Sequence, residues 1–167
     1  MSKESKLMID QYIEFESKRC FVRPFHDSDL DDFIEYRNNL DWMKYQGFKG
    51  LSKKEYAKKL LNKQNLNQGV QLAIINKINE QLIGDLFLKK ERLTMWIGFT
   101  MNPSFKRKGF AYEVVRSLIM WIKNHGEYQV KASVLIDNIA SINLLEKLGF
   151  ERLKEKDAEY IYVLKES

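Results

Sequence analysis

Hydrophobic positions along the chain switch between two periods, and the switches lay out its elements. CFVRPF at 20–25 reads as a strand that Pro24 stops, since proline brings no amide hydrogen to a ladder. HDSDLDDFIEYRNNL follows with helical spacing: Leu30, Phe33, Ile34 and Arg37 share a face, and Asp27 or Ser28 is placed to cap it. A second helix is expected over 51–64, where Ser52 and Glu55 form a capping box. The period then drops to two. Val70, Leu72 and Ile74 alternate, as do Leu82, Gly84, Leu86 and Leu88, with 76–80 as a hairpin turn. After a strand over 93–101, a helix over about 109–124 shows Ala111, Val114, Val115, Leu118, Ile119 and Ile122 at helical spacing, ended by His125 and Gly126. Val130, Ala132, Val134 and Ile136 alternate as another strand. Asn138 to Leu148 reads as a short helix stopped by Gly149, and two strands about a turn near Asp157 close the chain. Neither repeats nor linkers interrupt this order, which predicts one α/β domain around a mixed sheet.

Composition narrows the class. A chain of 167 residues, 44% hydrophobic and 31% charged, can bury a full core. No apolar run approaches the roughly 20 residues of a membrane span, and MSKESKLMIDQYIEFE carries no apolar signal core, so a cytoplasmic location is expected. Cys20 is the sole cysteine, which excludes an internal disulfide and a cysteine-based zinc site. The net charge of +5 suits an anionic ligand and is equally compatible with nucleic acid or plain solubility.

Chemistry concentrates in residues 97–113, IGFTMNPSFKRKGFAYE. Backbone amides at a helix start, beside small residues Gly109 and Ala111 and the cations Lys106, Arg107 and Lys108, form a site for phosphate groups. The hexad Lys106-Arg107-Lys108-Gly109-Phe110-Ala111, with Lys106 in place of the usual Gln or Arg, resembles the acyl-CoA signature of the GNAT N-acyltransferases. DNIASINLLEKLGF at 137–150 resembles that family's second motif. RCFVRPFHDSDLDDF, LIGDLFL and GFAYE are similar to the branch that holds the ribosomal-protein N-terminal acetyltransferases.

The resemblance, which covers about 19–164, implies a single GNAT-like α/β domain of the α+β type. Its central sheet is mixed and mostly antiparallel, flanked by about four helices, with an arm at 1–18 and the domain at 19–167. It implies acetyl-CoA as co-substrate, no metal, and direct attack of an amine in a ternary complex. Phe99, Thr100 and Met101 would offer a strand edge to the pantetheine arm, with an amide at a bulge there polarising the thioester carbonyl. Asn138 would contact the same arm. Ser141 would lie near the sulfur and protonate the leaving thiolate.

Two positions depart from the family. Leu145 stands where many members carry a tyrosine acid, and Trp96 where the nearest branch often has a carboxylate, so the base falls to a water leading to Asp85 or Glu91. Each reading has a plainer one beside it. The basic run can be a solvated turn, Ser141 can simply pack, and Asp85 in an alternating strand reads first as a surface carboxylate. Acids at Asp27, Asp29, Asp31, Asp32 and Glu35 either draw in a cationic amine or serve the helix dipole. Trp42, Tyr45, Phe48 and Tyr56 divide between core and an acceptor site. The expected partner is an amine, on a small molecule or a protein N-terminus, with neither nucleic acid nor membrane; a homodimer is left open. The alternatives are a degenerate acyl-CoA sensor and a small RNA-binding domain.

Overall fold

The computed structural model describes residues 12–165. Eight strands form one sheet: β1 (Phe15–Glu16), β2 (Cys20–Arg23), β3 (Val70–Asn76), β4 (Leu82–Glu91), β5 (Thr94–Met101), β6 (Gln129–Leu135), β7 (Phe150–Lys156) and β8 (Glu159–Leu164). Their order is β1-β2-β3-β4-β5-β6-β8-β7, with β5–β6 the parallel pair and the other neighbours antiparallel. Among the described residues four α-helices accompany it: α1 (Leu30–Arg37), α2 (Lys53–Leu60), α3 (Phe110–Asn124) and α4 (Ile139–Lys147). This is the single mixed α/β domain that the sequence implies. Among the described residues no helix is long and apolar enough to cross a membrane.

The sheet separates two apolar layers. On one face, Leu72, Ile74, Leu86, Leu88, Met95 and Ile97 pack with Val114, Leu118 and Ile122 of α3. On the other, Ala73, Ile75 and Leu82 meet Phe33, Tyr36, Tyr56 and Leu60 of α1 and α2. Leu82 therefore does not share a face with Leu86 and Leu88. The β3–β4 register shifts between Ile74 and Ile75, which leaves Ile83 as an extra residue and restarts the alternation. Gly84 follows because a Cβ there would stand 2.5 Å from the Thr100 carbonyl oxygen.

Other departures from the sequence reading have local causes. Neither Asp27 nor Ser28 caps α1; a 3₁₀ turn at Asp27–Asp29 precedes it, and Asp29 accepts from the His26 amide at 2.7 Å and from Arg23 at 2.7 and 3.1 Å. The Ser52–Glu55 capping box is formed, but α2 stops at Leu60. Gln64, four residues on, instead bonds the Gln71 backbone in both directions, at 2.8 and 3.2 Å. Inside the stretch read as an arm, β1 pairs with β2 and Ile13 is buried, while residues 1–11 of that arm lie outside the described residues.

Candidate functional site

Strand β5 has neighbours on both sides only at its start. It pairs with β4 from Glu91↔Thr94 to Gly84↔Met101, but with β6 only over Thr94–Trp96. The Gln129 amide donates to the Leu93 carbonyl and the Asn102 amide to the Ile83 carbonyl, each at 2.8 Å. Backbone groups alternate along a strand, so odd positions of β5 face β6 and even positions face β4. Past Trp96 the strands diverge, and the Phe99 backbone looks into the gap. The Met101 carbonyl points the same way and accepts from Trp42 Nε1 at 2.7 Å. Thr100, expected beside them on the edge, turns its backbone to β4, and its hydroxyl accepts from Arg37 Nη2 at 3.3 Å. The bulge expected here is absent: the β4–β5 register runs unbroken, and strand divergence alone frees the edge.

The gap opens into a cleft of about 200 Å³ whose walls include Tyr45, Phe99, Leu135, Asn138, Ser141 and Leu145. Asn138 sits at the N-cap of α4, where its Oδ1 accepts from the Ser141 amide at 3.3 Å. That cap turns Ser141 into the cleft, and among the described residues its hydroxyl has no hydrogen-bond partner. Leu145, one turn further, is buried.

At the far end of β5 the basic loop leads into α3. Gly109 is the N-cap, in left-handed backbone at φ +80° and with no side chain to satisfy the first-turn amides. Lys106, Arg107, Lys108 and Gly109 are exposed, Phe110 is buried and Ala111 half-buried. Arg19 is an addition the sequence reading missed. Its guanidinium lies 4.0 Å from the Phe110 ring centroid, with Nη2 3.4 Å from where a Cβ at position 109 would stand. Glu113 anchors it, taking Nε–H at 2.6 Å and the Arg19 amide at 2.8 Å, and also accepts from the Ser17 hydroxyl. Burial pushes the Glu113 pKa up, but these donors outweigh it and hold the carboxyl below its usual range. Orphan amides, flexible cations and a peptide-like edge leading away from them fit the phosphates and pantetheine arm of coenzyme A.

A second cavity of about 400 Å³ is walled by residues of α1, α2, β3, β4 and β5, among them Arg37, Lys59, Gln71, Asp85 and Thr100. Gln46, Gly98 and Phe99 line both cavities, so the two meet at the Gly98–Phe99 segment. Asp85 forms part of the wall and is not the surface carboxylate that alternation suggested: it is 1% exposed. Oδ1 accepts from Arg37 Nη2 at 2.5 Å and Gln71 Nε2 at 2.7 Å; Oδ2 accepts from the Tyr36 hydroxyl and from Arg37 Nε at 3.3 Å. Burial, the largest single influence, would lower the Arg37 pKa, but the charge and hydrogen bonds of Asp85 together with the neighbouring Tyr36 and Tyr56 hydroxyls outweigh it and raise it. Burial, reinforced by Asp85, pushes the Tyr36 hydroxyl well above its usual range, so it stays a donor. Trp96 pairs across the sheet with Lys89 and Lys131. The acids of the first helix stand apart, Asp29 bound to Arg23 and Asp31 to Lys53. Of the aromatics, Phe48 lines this cavity and Tyr45 the cleft, while Tyr56 is core.

Residues 19–151 match the family described as Acetyltransferase (GNAT) domain. The uncharacterized N-acetyltransferase YjdG of Bacillus subtilis is 34% identical over 140 residues, spanning 79% of this chain and 81% of that protein. YnaD of the same organism, named in the same way, is 27% identical over 139 residues, spanning 81% of each. Among solved structures, a GNAT-family acetyltransferase from Bacillus anthracis superposes with a TM-score of 0.81 at 21% identity, covering 91% of this chain and 98% of that one. RimL, a ribosomal L7/L12 α-N-protein acetyltransferase solved in complex with coenzyme A, gives 0.74 at 15%, covering 90% and 97%.

Proposed function

The chain belongs to the GNAT acetyltransferase family and is an N-acetyltransferase, and we propose that it moves the acetyl group of acetyl-CoA to a primary amine by direct attack in a ternary complex. Acetyl-CoA supplies the activated thioester. The observation that carries the reading is the meeting of two cavities at Gly98–Phe99, where the edge of β5 has no strand neighbour among the described residues. In this reading the first-turn amides of α3 and the cations Lys106, Arg107 and Lys108 hold the phosphates, with Arg19 beside them. The edge at Phe99 and the Asn138 side chain align the pantetheine arm, and the Phe99 amide faces the thioester carbonyl. The amine enters from the larger cavity. As the N–C bond forms and the C–S bond breaks, the free hydroxyl of Ser141 gives the departing thiolate its proton, and the proton shed by the acylated nitrogen returns through solvent to restore that hydroxyl.

Asp85 is a poor base in this arrangement. Each of its oxygens already accepts two hydrogen bonds, and its charge is matched by Arg37. We assign it to holding β4, α1 and Gln71 in place beneath the acceptor, leaving deprotonation to solvent. The acceptor is either a small-molecule amine or a protein N-terminus; RimL, which shares the fold, is named for the second. The test is to incubate the protein with acetyl-CoA and a panel of amines while following free thiol, alongside calorimetry of coenzyme A. Thiol release that depends on the amine supports the reading; an unbound cofactor sinks it.

A further inference from the structure

We propose that the acceptor amine is carried on a neutral or acidic body, and that Lys59 reads the negative charge of that body. This rests on the larger cavity being the acceptor site. The charges in its wall are few: Arg37, Lys59 and Asp85. Arg37 and Asp85 cancel, locked at 2.5 Å with side chains 3% and 1% exposed. Arg37 has little left to offer a ligand, since Nη1 donates to the Phe48 carbonyl at 2.8 Å and Nη2 also reaches Thr100. Lys59 is the remaining charge; it is exposed, and its ammonium lies 5.9 Å from the centroid of the cavity-lining Phe48 ring.

The rest of the polar wall is the Thr100 hydroxyl, which accepts from Arg37, and three side-chain amides. Gln64 is spent on the Gln71 backbone, Gln71 Nε2 on Asp85, and Gln46 makes no side-chain hydrogen bond among the described residues. Glu159 faces the cofactor cleft, where it accepts from Ser133 at 2.7 Å. A polycationic amine would thus bring its extra charges beside Lys59 with no uncompensated carboxylate in the wall to meet them. A carboxylate or phosphate on the acceptor would find an ammonium within a Debye length. A charge at a cavity rim acts chiefly on encounter and specificity.

The test uses peptides that share a free N-terminus and differ only in a following run of Asp, Ser or Arg, with an amino acid and its carboxamide as small-molecule counterparts. Expected kcat/KM, followed by thiol release at low salt, falls in the order Asp, Ser, Arg, with about tenfold between the extremes. The amino acid should exceed its carboxamide if the acceptor is small, the peptides should exceed both if it is a polypeptide, and the gap should shrink at high salt. Lys59→Glu should compress or reverse the order. Lys54→Glu, the same charge change on an exposed residue of α2 outside the cavity wall, should leave the order as it was. Preference for the Arg run, or an order that Lys59→Glu does not move in a protein that still binds coenzyme A, overturns the proposal. Absence of transfer to every acceptor removes the acetyltransfer reading beneath it, a different result from transfer with the wrong preference.

Discussion

Ser141 and Asp85 line different cavities, and replacing each should read out differently. Ser141 has a free hydroxyl in the cleft, so Ser141→Ala should lower turnover roughly 10- to 100-fold, at or below the low end of general-acid effects, with coenzyme A affinity little changed. Unaltered turnover, measured where chemistry limits the rate, would leave the serine a packing residue. Asp85→Asn should instead cost stability. It strips the counter-charge from an Arg37 that is 3% exposed, and breaking such a buried pair typically costs about 3–5 kcal/mol, visible as a lower urea midpoint. Loss of activity in that variant would not by itself identify a base. The informative comparison is the pH–rate profile of a folded Asp85→Asn protein, whose shape should match the wild type if Asp85 only positions its neighbours.

The basic loop and α3 act as one element, and Gly109 is its hinge. At φ +80° a valine is strained whatever the space, and its Cβ would press on Arg19 Nη2 at 3.4 Å. Gly109→Val should weaken coenzyme A binding at least ~tenfold, about 1.4 kcal/mol, by disturbing backbone and Arg19 together; unchanged affinity in the folded variant would disprove the loop assignment. The same helix is tied to the β1–β2 hairpin through Glu113. Its folded pKa is depressed, so its stabilising contribution is full above the unfolded value of ~4.3 and fades as pH falls through the lower folded one. Glu113→Gln should therefore cost stability at neutral pH and flatten the acid limb of a stability–pH curve. These elements also mark what a sequence can disclose. The Ser52–Glu55 box, the amphipathic face of α3 and the Gly149 stop of α4 were legible because each is written within one or two helical turns. The bulge at Ile83 was not, because it corrects a register between strands. Arg19 with Glu113 and Arg37 with Asp85 escaped notice for a related reason: each pair joins elements distant along the chain, and alternation reports a face without reporting what covers it.

For the whole molecule, proton accounting sets which amines this acetyltransferase can use. An ammonium has no lone pair, so the acceptor must arrive neutral or lose its proton within the complex. The cavity wall offers one carboxylate, Asp85, already committed to four donors, and Trp96 supplies no second. With deprotonation left to solvent, an α-amine of pKa ~8 is appreciably neutral at pH 7, whereas a lysine-like amine near ~10 is almost wholly protonated. The enzyme should accordingly favour peptide N-termini and other weakly basic amines over polyamines. Its rate at subsaturating acceptor should rise with pH up to the acceptor's own pKa and level off there, and the midpoint should move when the acceptor is exchanged for one of different basicity. A midpoint that stays fixed across acceptors would reveal a protein base, and the solvent route would be wrong.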